Sequence, residues 1–269
     1  MQDLIAHMKV AALAAGAYIK NSSDKKHTDK SNKKDFVTEA DLESQRLLIK
    51  ELNKAYPNIL VLSEEHSKEE QSKLYEDDFT GFVIDPIDGT FNFKRGLKES
   101  AISIGYIEQG EPIAGVAFDP YRDELYWAEK GQGAFCNGEP IHVSDHGSIE
   151  GASIAFSNSY DDATMKRMMQ RHMAIYEQSG HMPWTSCPGS AVIVFSWIAR
   201  GRLEAYHHSS LKPWDNAAAM LILREAGGEV RTLTGEQARF TDAAIVGGNP
   251  KVVAILCDVF LKIDPKLLS

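Results

Sequence analysis

The stretch Gly81-Phe82-Val83-Ile84-Asp85-Pro86-Ile87-Asp88-Gly89-Thr90 sets two carboxylates three residues apart at the exit of an apolar run, with Gly and Thr directly after. Such a pair suits a hard divalent cation such as Mg²⁺, which takes oxygen ligands and shares them with substrate phosphate. The pattern predicts a buried strand ending at Ile84 and a turn at Pro86. Gly89 and Thr90 then open a helix whose free N–H groups and positive dipole end favour an anion. Asp and Gly are also common turn formers, so a plain strand-to-helix turn accounts for the same residues.

Acidic residues follow apolar runs or open helices at three further places: Asp41 in Thr38-Glu39-Ala40-Asp41, Glu64 in Ser63-Glu64-Glu65-His66, and Asp215 in Lys212-Pro213-Trp214-Asp215-Asn216. If they converge on Asp85 and Asp88, like-charge repulsion is costly unless cations sit among them. Structural duties account for each one singly. Asp41 is the acidic partner of a capping box begun by Thr38, Thr90 is an N-cap, and Asp215 caps a helix starting at Asn216. Glu65 and His66 read as surface or supporting residues and Trp214 as packing. His142 and His146 stand four apart on a strand running into a turn, which makes no metal pair; the histidines other than His208 are expected at the surface.

The elements that must hold these residues differ between the halves of the chain. Apolar spacing predicts a helix over 3–20, then a lysine-rich loop from Asn21 to Lys34 with no apolar residue, a candidate flap for an anionic ligand. A second helix follows the Thr38 capping box and ends near Tyr56-Pro57, and 59–62 is a short apolar run delivering Ser63-Glu64. Strands over 101–107, 113–118 and 124–128 follow one another without helices, which predicts an antiparallel meander. Beyond about residue 145 strands and helices alternate: strand 152–156, helix 163–177, helix 190–199, strand 203–206, helix 216–226, strand 243–246 and helix 250–261. The chain is expected to form a single unit over 1–269, with an α+β half over about 1–145 and an α/β half over 146–269.

With 269 residues, 43% hydrophobic and 25% charged, the composition is that of a globular protein rather than a disordered one. The net charge of −9 argues against a general nucleic-acid binder, whose affinity rests on Lys and Arg against phosphates. Cys136, Cys187 and Cys257 are odd in number and lack a CxxC pattern, implying a reducing compartment and no zinc site. No stretch matches a signal peptide or a membrane span, so a cytoplasmic protein is expected.

Taken in order, DFVTEAD (Asp35 to Asp41), SEEH (Ser63 to His66), DPIDGTFNF (Asp85 to Phe93), CPGSA (Cys187 to Ala191) and KPWDNAA (Lys212 to Ala218) resemble the inositol monophosphatase family of Mg²⁺-dependent, lithium-inhibited phosphatases. The larger group includes fructose-1,6-bisphosphatases and 3′-phosphoadenosine nucleotidases. The resemblance spans nearly the whole chain. It implies a layered α/β/α/β/α sandwich, usually a homodimer, acting on a small phosphorylated metabolite. It further implies one metal at Glu64, Asp85 and the Ile87 carbonyl, a second at Asp85, Asp88 and Asp215, and a third, weaker Mg²⁺ near Glu64 and the lysine-rich loop. Two such ions serve in-line attack of water on the phosphate. By the same resemblance Thr90, bonded to Asp41, orients the water, and Gly89 and Thr90 offer N–H groups to the phosphate. Gly189, Ser190 and Ala191 lie beside the sugar or polyol.

In inositol-preferring members an acidic residue stands seven positions before the aspartate of the Trp-Asp pair; here that position is His208. A carboxylate accepts two hydroxyl bonds, whereas a histidine offers at most one acceptor and favours anions when protonated. The substrate implied is thus nominally inositol monophosphate, with NADP(H) 2′-phosphate, fructose 1,6-bisphosphate or a 3′,5′-bisphosphate nucleotide as alternatives. A non-catalytic phosphometabolite-binding protein is disfavoured, because each implied ligand and the Thr/Asp pair is present.

Overall fold

A computed structural model of the protein describes residues 2–22, 27–32 and 35–263. Helix α1 (Gln2–Asn21) precedes an antiparallel strand pair, β1 (His27–Asn32) with β2 (Asp35–Thr38), which leads directly into α2 (Glu39–Ala55). The loop expected over 21–34 is therefore corrected in part. Asn21 ends α1, and 27–32 is a strand, because backbone pairing does not need apolar side chains. Residues 23–26 and 33–34, with Lys25, Lys26, Lys33 and Lys34, lie outside the described residues.

A seven-stranded sheet follows: β3 (Val61–Ser63), β4 (Gly81–Asp88), β5 (Ala101–Glu108), β6 (Glu111–Asp119), β7 (Glu124–Glu129), β8 (Ala134–Cys136) and β9 (Glu139–Ile141), in that spatial order. Two short helices interrupt it, α3 (Lys68–Gln71) and α4 (Thr90–Arg95). Only β3 and β4 run parallel; from β4 onward the sheet is the antiparallel meander the sequence predicts. The second half supplies β10 (Ser153–Phe156), α5 (Asp162–Ser179), β11 (Trp184–Ser186), α6 (Ala191–Ala199), β12 (Ala205–His208), α7 (Pro213–Glu225), β13 (Glu229–Thr232), β14 (Ile245–Gly248) and α8 (Pro250–Ile263). Its five strands form a mixed sheet in the order β11-β10-β12-β14-β13.

Both sheets are covered on both faces. Helices α1 and α2 pack on the outer face of the large sheet, α6 and α7 lie between the sheets, and α5 and α8 cover the far face of the small one. This is the α/β/α/β/α sandwich the sequence implies. Strand β4 shows why its apolar run is continuous rather than alternating. Phe82 and Ile84 enter the core under α1 and α2, while Val83 enters the core on the other face. Each is fully buried and contributes on the order of 1.5–3 kcal/mol of burial free energy. Among the described residues no helix is long and apolar enough to cross a membrane.

Candidate active site

Strand β4 does not end at Ile84. It continues to Asp88 with Pro86 inside it, because a bulge accommodates the residue that cannot donate to the ladder. Asp85 pairs with Ser103 and Asp88 with Ala101, so three steps on β4 match two on β5. In a regular strand residues three apart point to opposite faces. The extra residue puts both carboxylates on one side. Two hydrogen bonds hold the bulge: the Ser44 hydroxyl donates to the Pro86 carbonyl at 2.8 Å, and the Ile87 N–H donates to Asp85 Oδ1 at 3.0 Å. Gly89 then takes a left-handed φ of 86°, and a Cβ there would stand 2.9 Å from the Glu99 carbonyl oxygen.

Asp215 arrives from the other side. Helix α7 begins at Pro213, not at Asn216 as expected, since proline is favoured in the first helical turn. Asp215 is therefore inside the first turn rather than a cap for Asn216, and its Oδ2 accepts the Lys212 N–H at 2.7 Å. The hydroxyl of Ser103, the residue paired with Asp85, donates to the Trp214 carbonyl at 3.1 Å and ties the helix start to β5. Gly105 further along β5 lets α7 close in, since a Cβ there would lie 2.6 Å from Ala217 Cβ. Oxygens of Asp85, Asp88 and Asp215 consequently lie within 4.8 Å of one another.

Asp88 is anchored from the middle layer. Its Oδ2 accepts the Ser190 hydroxyl at 2.5 Å and the Val192 N–H at 2.7 Å, at the N-terminus of α6. Ser190 also caps that helix by accepting the Ile193 N–H. It is buried with its hydroxyl held by Asp88, while its neighbours Gly189 and Ala191 line the cleft.

These carboxyls are hard to ionise together. Burial, then the charges of Glu64, Asp88 and Asp215, push Asp85 well above the usual carboxylate range. Burial and Asp88 do the same to Asp215. For Asp88 burial wins over the helpful bonds from Ser190 and Val192, leaving it at about 6. An all-oxygen set with this much unrelieved negative charge fits a hard divalent cation, whose charge would return all three to the carboxylate form.

Glu64 follows β3 directly. Its N–H donates to the Ile84 carbonyl at 3.3 Å and its own carbonyl accepts from Gln71 at 2.7 Å, so it is half-buried and borders the same cleft. Asp41 performs both duties weighed for it. One oxygen closes the capping box by accepting the Thr38 N–H at 2.7 Å and the Thr38 hydroxyl. The other lies 3.2 Å from the Thr90 hydroxyl, which is also 3.0 Å from the Ile87 carbonyl. Thr90 is not an N-cap, because Gly89 takes that place.

The cleft encloses about 330 Å³. Besides the carboxylates its wall is built from Tyr206 and His208 of β12, the loop 157–161, and Ser210 to Lys212. His208 is buried and fully engaged: its Nε2 side faces the Asn158 carbonyl at 3.2 Å and its Nδ1 accepts the Ser210 N–H at 3.1 Å. Burial holds its pKa down to about 4, so it is neutral near pH 7 and supplies no charge for a second anionic group. His172 and His207, expected at the surface, are buried instead, and His207 stacks with Phe156 and with His172, because the opposite face of β12 packs under α5 and α8. A larger groove of about 770 Å³ runs along α5, but none of the clustered carboxylates borders it.

Sequence reasoning missed the tie from Ser190 to Asp88 and the cleft-lining loop 157–161. Pro-Gly-Ser before an apolar helix signals a cap. Nothing local signals a partner 102 residues away.

A model of the inositol monophosphatase family matches residues 1–259. The chain is 35% identical over 244 residues to the fructose-1,6-bisphosphatase/inositol-1-monophosphatase of Thermotoga maritima, covering 88% of each. It is 31% identical over 259 residues to the Nus factor SuhB of Xylella fastidiosa, covering 91% of each. The solved structure of the extragenic suppressor protein suhB from Bartonella henselae superposes with a TM-score of 0.86 at 28% identity, over 97% of this chain and 99% of that one. With this coverage and the ordered motifs, the chain belongs to the inositol monophosphatase family and is a phosphomonoesterase.

Proposed function

We propose that the cleft hydrolyses a small phosphate monoester, nominally an inositol monophosphate, with Mg²⁺ as its cofactor. The observation carrying this reading is the convergence of Asp85, Asp88 and Asp215 within 4.8 Å at the head of α4 and α7. Glu64, Asp85 and the Ile87 carbonyl would hold one ion and Asp85, Asp88 and Asp215 a second, with Asp85 shared; a third would bind weakly near Glu64. When bound, Mg²⁺ supplies the positive charge that acidifies water and offsets charge on the phosphate and the departing oxygen.

The protein groups do the positioning. Thr90, set between Asp41 and the Ile87 carbonyl, orients the attacking water. Gly89 and Thr90 direct N–H groups from the head of α4 toward phosphate oxygens. Ser190 and the α6 N-terminus hold Asp88 so that its remaining oxygen faces the cleft. Gly189, Ala191 and His208 border the leaving alcohol, and the neutral state of His208 favours a polyol over a second anion. Lithium inhibition, a homodimer and a cytoplasmic setting belong to the same proposal.

Phosphate release from inositol 1-phosphate, NADP, fructose 1,6-bisphosphate and 3′-phosphoadenosine 5′-phosphate, measured side by side with Mg²⁺, tests the reading. Inositol 1-phosphate should give the highest kcat/KM. Preference for a bisphosphate or NADP would move the substrate, and release from none would sink the reading. A Nus-factor role is a second reading, favoured by the identity to the Xylella fastidiosa relative. A turnover-dead Asp88→Asn chain that still replaced that relative in cells would separate this role from catalysis.

A further inference from the structure

Asn92 is a buried polar residue of α4. Its Nδ2 group donates to two backbone carbonyls, that of Glu99 at 2.7 Å, ahead of β5, and that of Pro188 at 2.6 Å, ahead of α6. Both partners can only accept, so the amide nitrogen is the atom that faces them and both of its N–H groups are spent. The contact with Pro188 joins positions 96 residues apart. The backbone closes in around this amide. Gly189 takes a left-handed φ of 77°, and a Cβ there would stand 3.1 Å from Asn92 Nδ2. A Cβ on Gly89 would stand 3.2 Å from Ser190 Cβ, and the Gly89 carbonyl accepts the Ser100 hydroxyl at 3.0 Å.

The head of α6 bears on the chemistry because Ser190 and Val192 both donate to Asp88 Oδ2. Those two bonds end on a carboxylate that, under the proposed function, an ion also pulls. They hold Asp88 against that pull only if the head of α6 is itself fixed. Otherwise Ser190 and Val192 would follow the carboxylate instead of aiming it. Asn92 supplies a tie that does not pass through Asp88. It starts on α4, just beyond the strand that carries Asp88, and ends on Pro188, two residues before Ser190. Two short bonds from one buried amide make that tie stiff, since a side chain held at both N–H groups has one rotamer left.

We infer that Asn92 is a positioning residue for the metal centre: its amide fixes the head of α6 against the start of α4, and through Ser190 this sets the direction in which Asp88 offers its remaining oxygen. The inference rests on the Mg²⁺-dependent phosphatase reading of the cleft. It assigns the aim of one ligand to a side chain whose own bonds go to backbone carbonyls. No proton moves and no covalent bond changes at Asn92.

The test is calorimetric titration of Mg²⁺ into the metal-free chain without substrate, beside phosphate release from inositol 1-phosphate. Asn92→Ala should weaken Mg²⁺ binding about tenfold, the usual loss when a group that orients a ligand is removed. With Mg²⁺ saturating, kcat should stay within about threefold of wild type, because no group that meets the substrate has changed. The double variant Asn92→Ala/Ser190→Ala should bind Mg²⁺ no worse than the weaker single one, since both substitutions break the same path to Asp88. Losses that multiply to about a hundredfold in the double variant would overturn the inference, because the two residues would then act independently. Unchanged Mg²⁺ affinity with a lowered melting temperature would overturn it too, leaving Asn92 a structural clamp. If Asn92→Ala does not fold, Asn92→Ser, which keeps one donor, is read by the same two criteria. A wild type that binds no Mg²⁺ and releases no phosphate would instead sink the phosphatase reading, a failure seen before any variant is made.

Discussion

The two walls of the cleft handle polarity in opposite ways. On the side of the large sheet, Asp85, Asp88 and Asp215 are buried together with raised pKa values, and their few hydrogen bonds hold them in place without neutralising their mutual repulsion. On the side of the small sheet, His208 is neutral and bonded at both nitrogens, and the loop 157–161 is rich in uncharged Ser and Asn. One wall is strained electrostatically; the other carries the neutral His208 together with Asp161 and Lys212. Under the proposed function chemistry falls to the carboxylate side and selection to the β12 side, so substitutions on one side should leave the other side's property intact.

The strongest way to break that division is Asp88→Asn, which removes a charge from the strained wall while keeping its shape. Turnover should fall by more than about 10³-fold with the fold retained, as read by steady-state kinetics and circular dichroism. A variant with near-normal kcat would mean the carboxylate cluster is not where the chemistry occurs. Thr90→Ala should cost on the order of 10²-fold in kcat with little change in KM, the loss expected when a water-positioning group is removed. A KM effect alone would move Thr90 to substrate binding.

Ser190→Ala tests whether support from α6 matters to the same wall. It leaves Asp88 only its backbone donors, and the Mg²⁺ concentration for half-maximal activity should rise about tenfold, within the usual range for groups that orient a metal ligand. An unchanged Mg²⁺ dependence would make Ser190 a helix cap and nothing more.

The electrostatic strain also predicts a pH dependence. Asp88 keeps its proton in the folded protein up to about pH 6, whereas in the unfolded chain it ionises near 4. The folded state therefore binds the extra proton between those values, and metal-free stability falls as pH rises through that window. Melting curves should show Mg²⁺ raising Tm more at about pH 7.5 than at about pH 5, because at the lower pH the ion must displace protons. An equal rise at both values would contradict the burial account of these carboxyls. The smallest effect belongs to the β12 side: His208→Asn should alter the relative kcat/KM among phosphate esters by a few fold and leave the Mg²⁺ dependence unchanged.

The strained wall was the more legible of the two in the sequence. Asp85, Asp88 and Thr90 stand beside Gly or Pro at the end of an apolar run and Asp215 follows Pro213 by two residues, and such local punctuation is visible without coordinates. The layered sandwich followed from the resemblance carried by the ordered motifs, and the meander followed by alternating strands and helices agrees with it. The bulge was not, because the register of Asp85 and Asp88 against Ser103 and Ala101 depends on a strand thirteen or more residues away. The tie from Ser190 to Asp88 escaped for a related reason. Its importance lies in a bond made across the fold, and composition carries no trace of it. The polar strand β1 shows the limit of hydropathy, for a backbone ladder can form where no side chain needs burial.

Phosphate release from inositol 1-phosphate, followed while Mg²⁺ is titrated into metal-free wild type and then removed with EDTA, tests the central claim most directly. Activity should be absent without the ion, rise saturably with it and vanish on chelation. Turnover undiminished by EDTA would contradict a cation centre built from Asp85, Asp88 and Asp215.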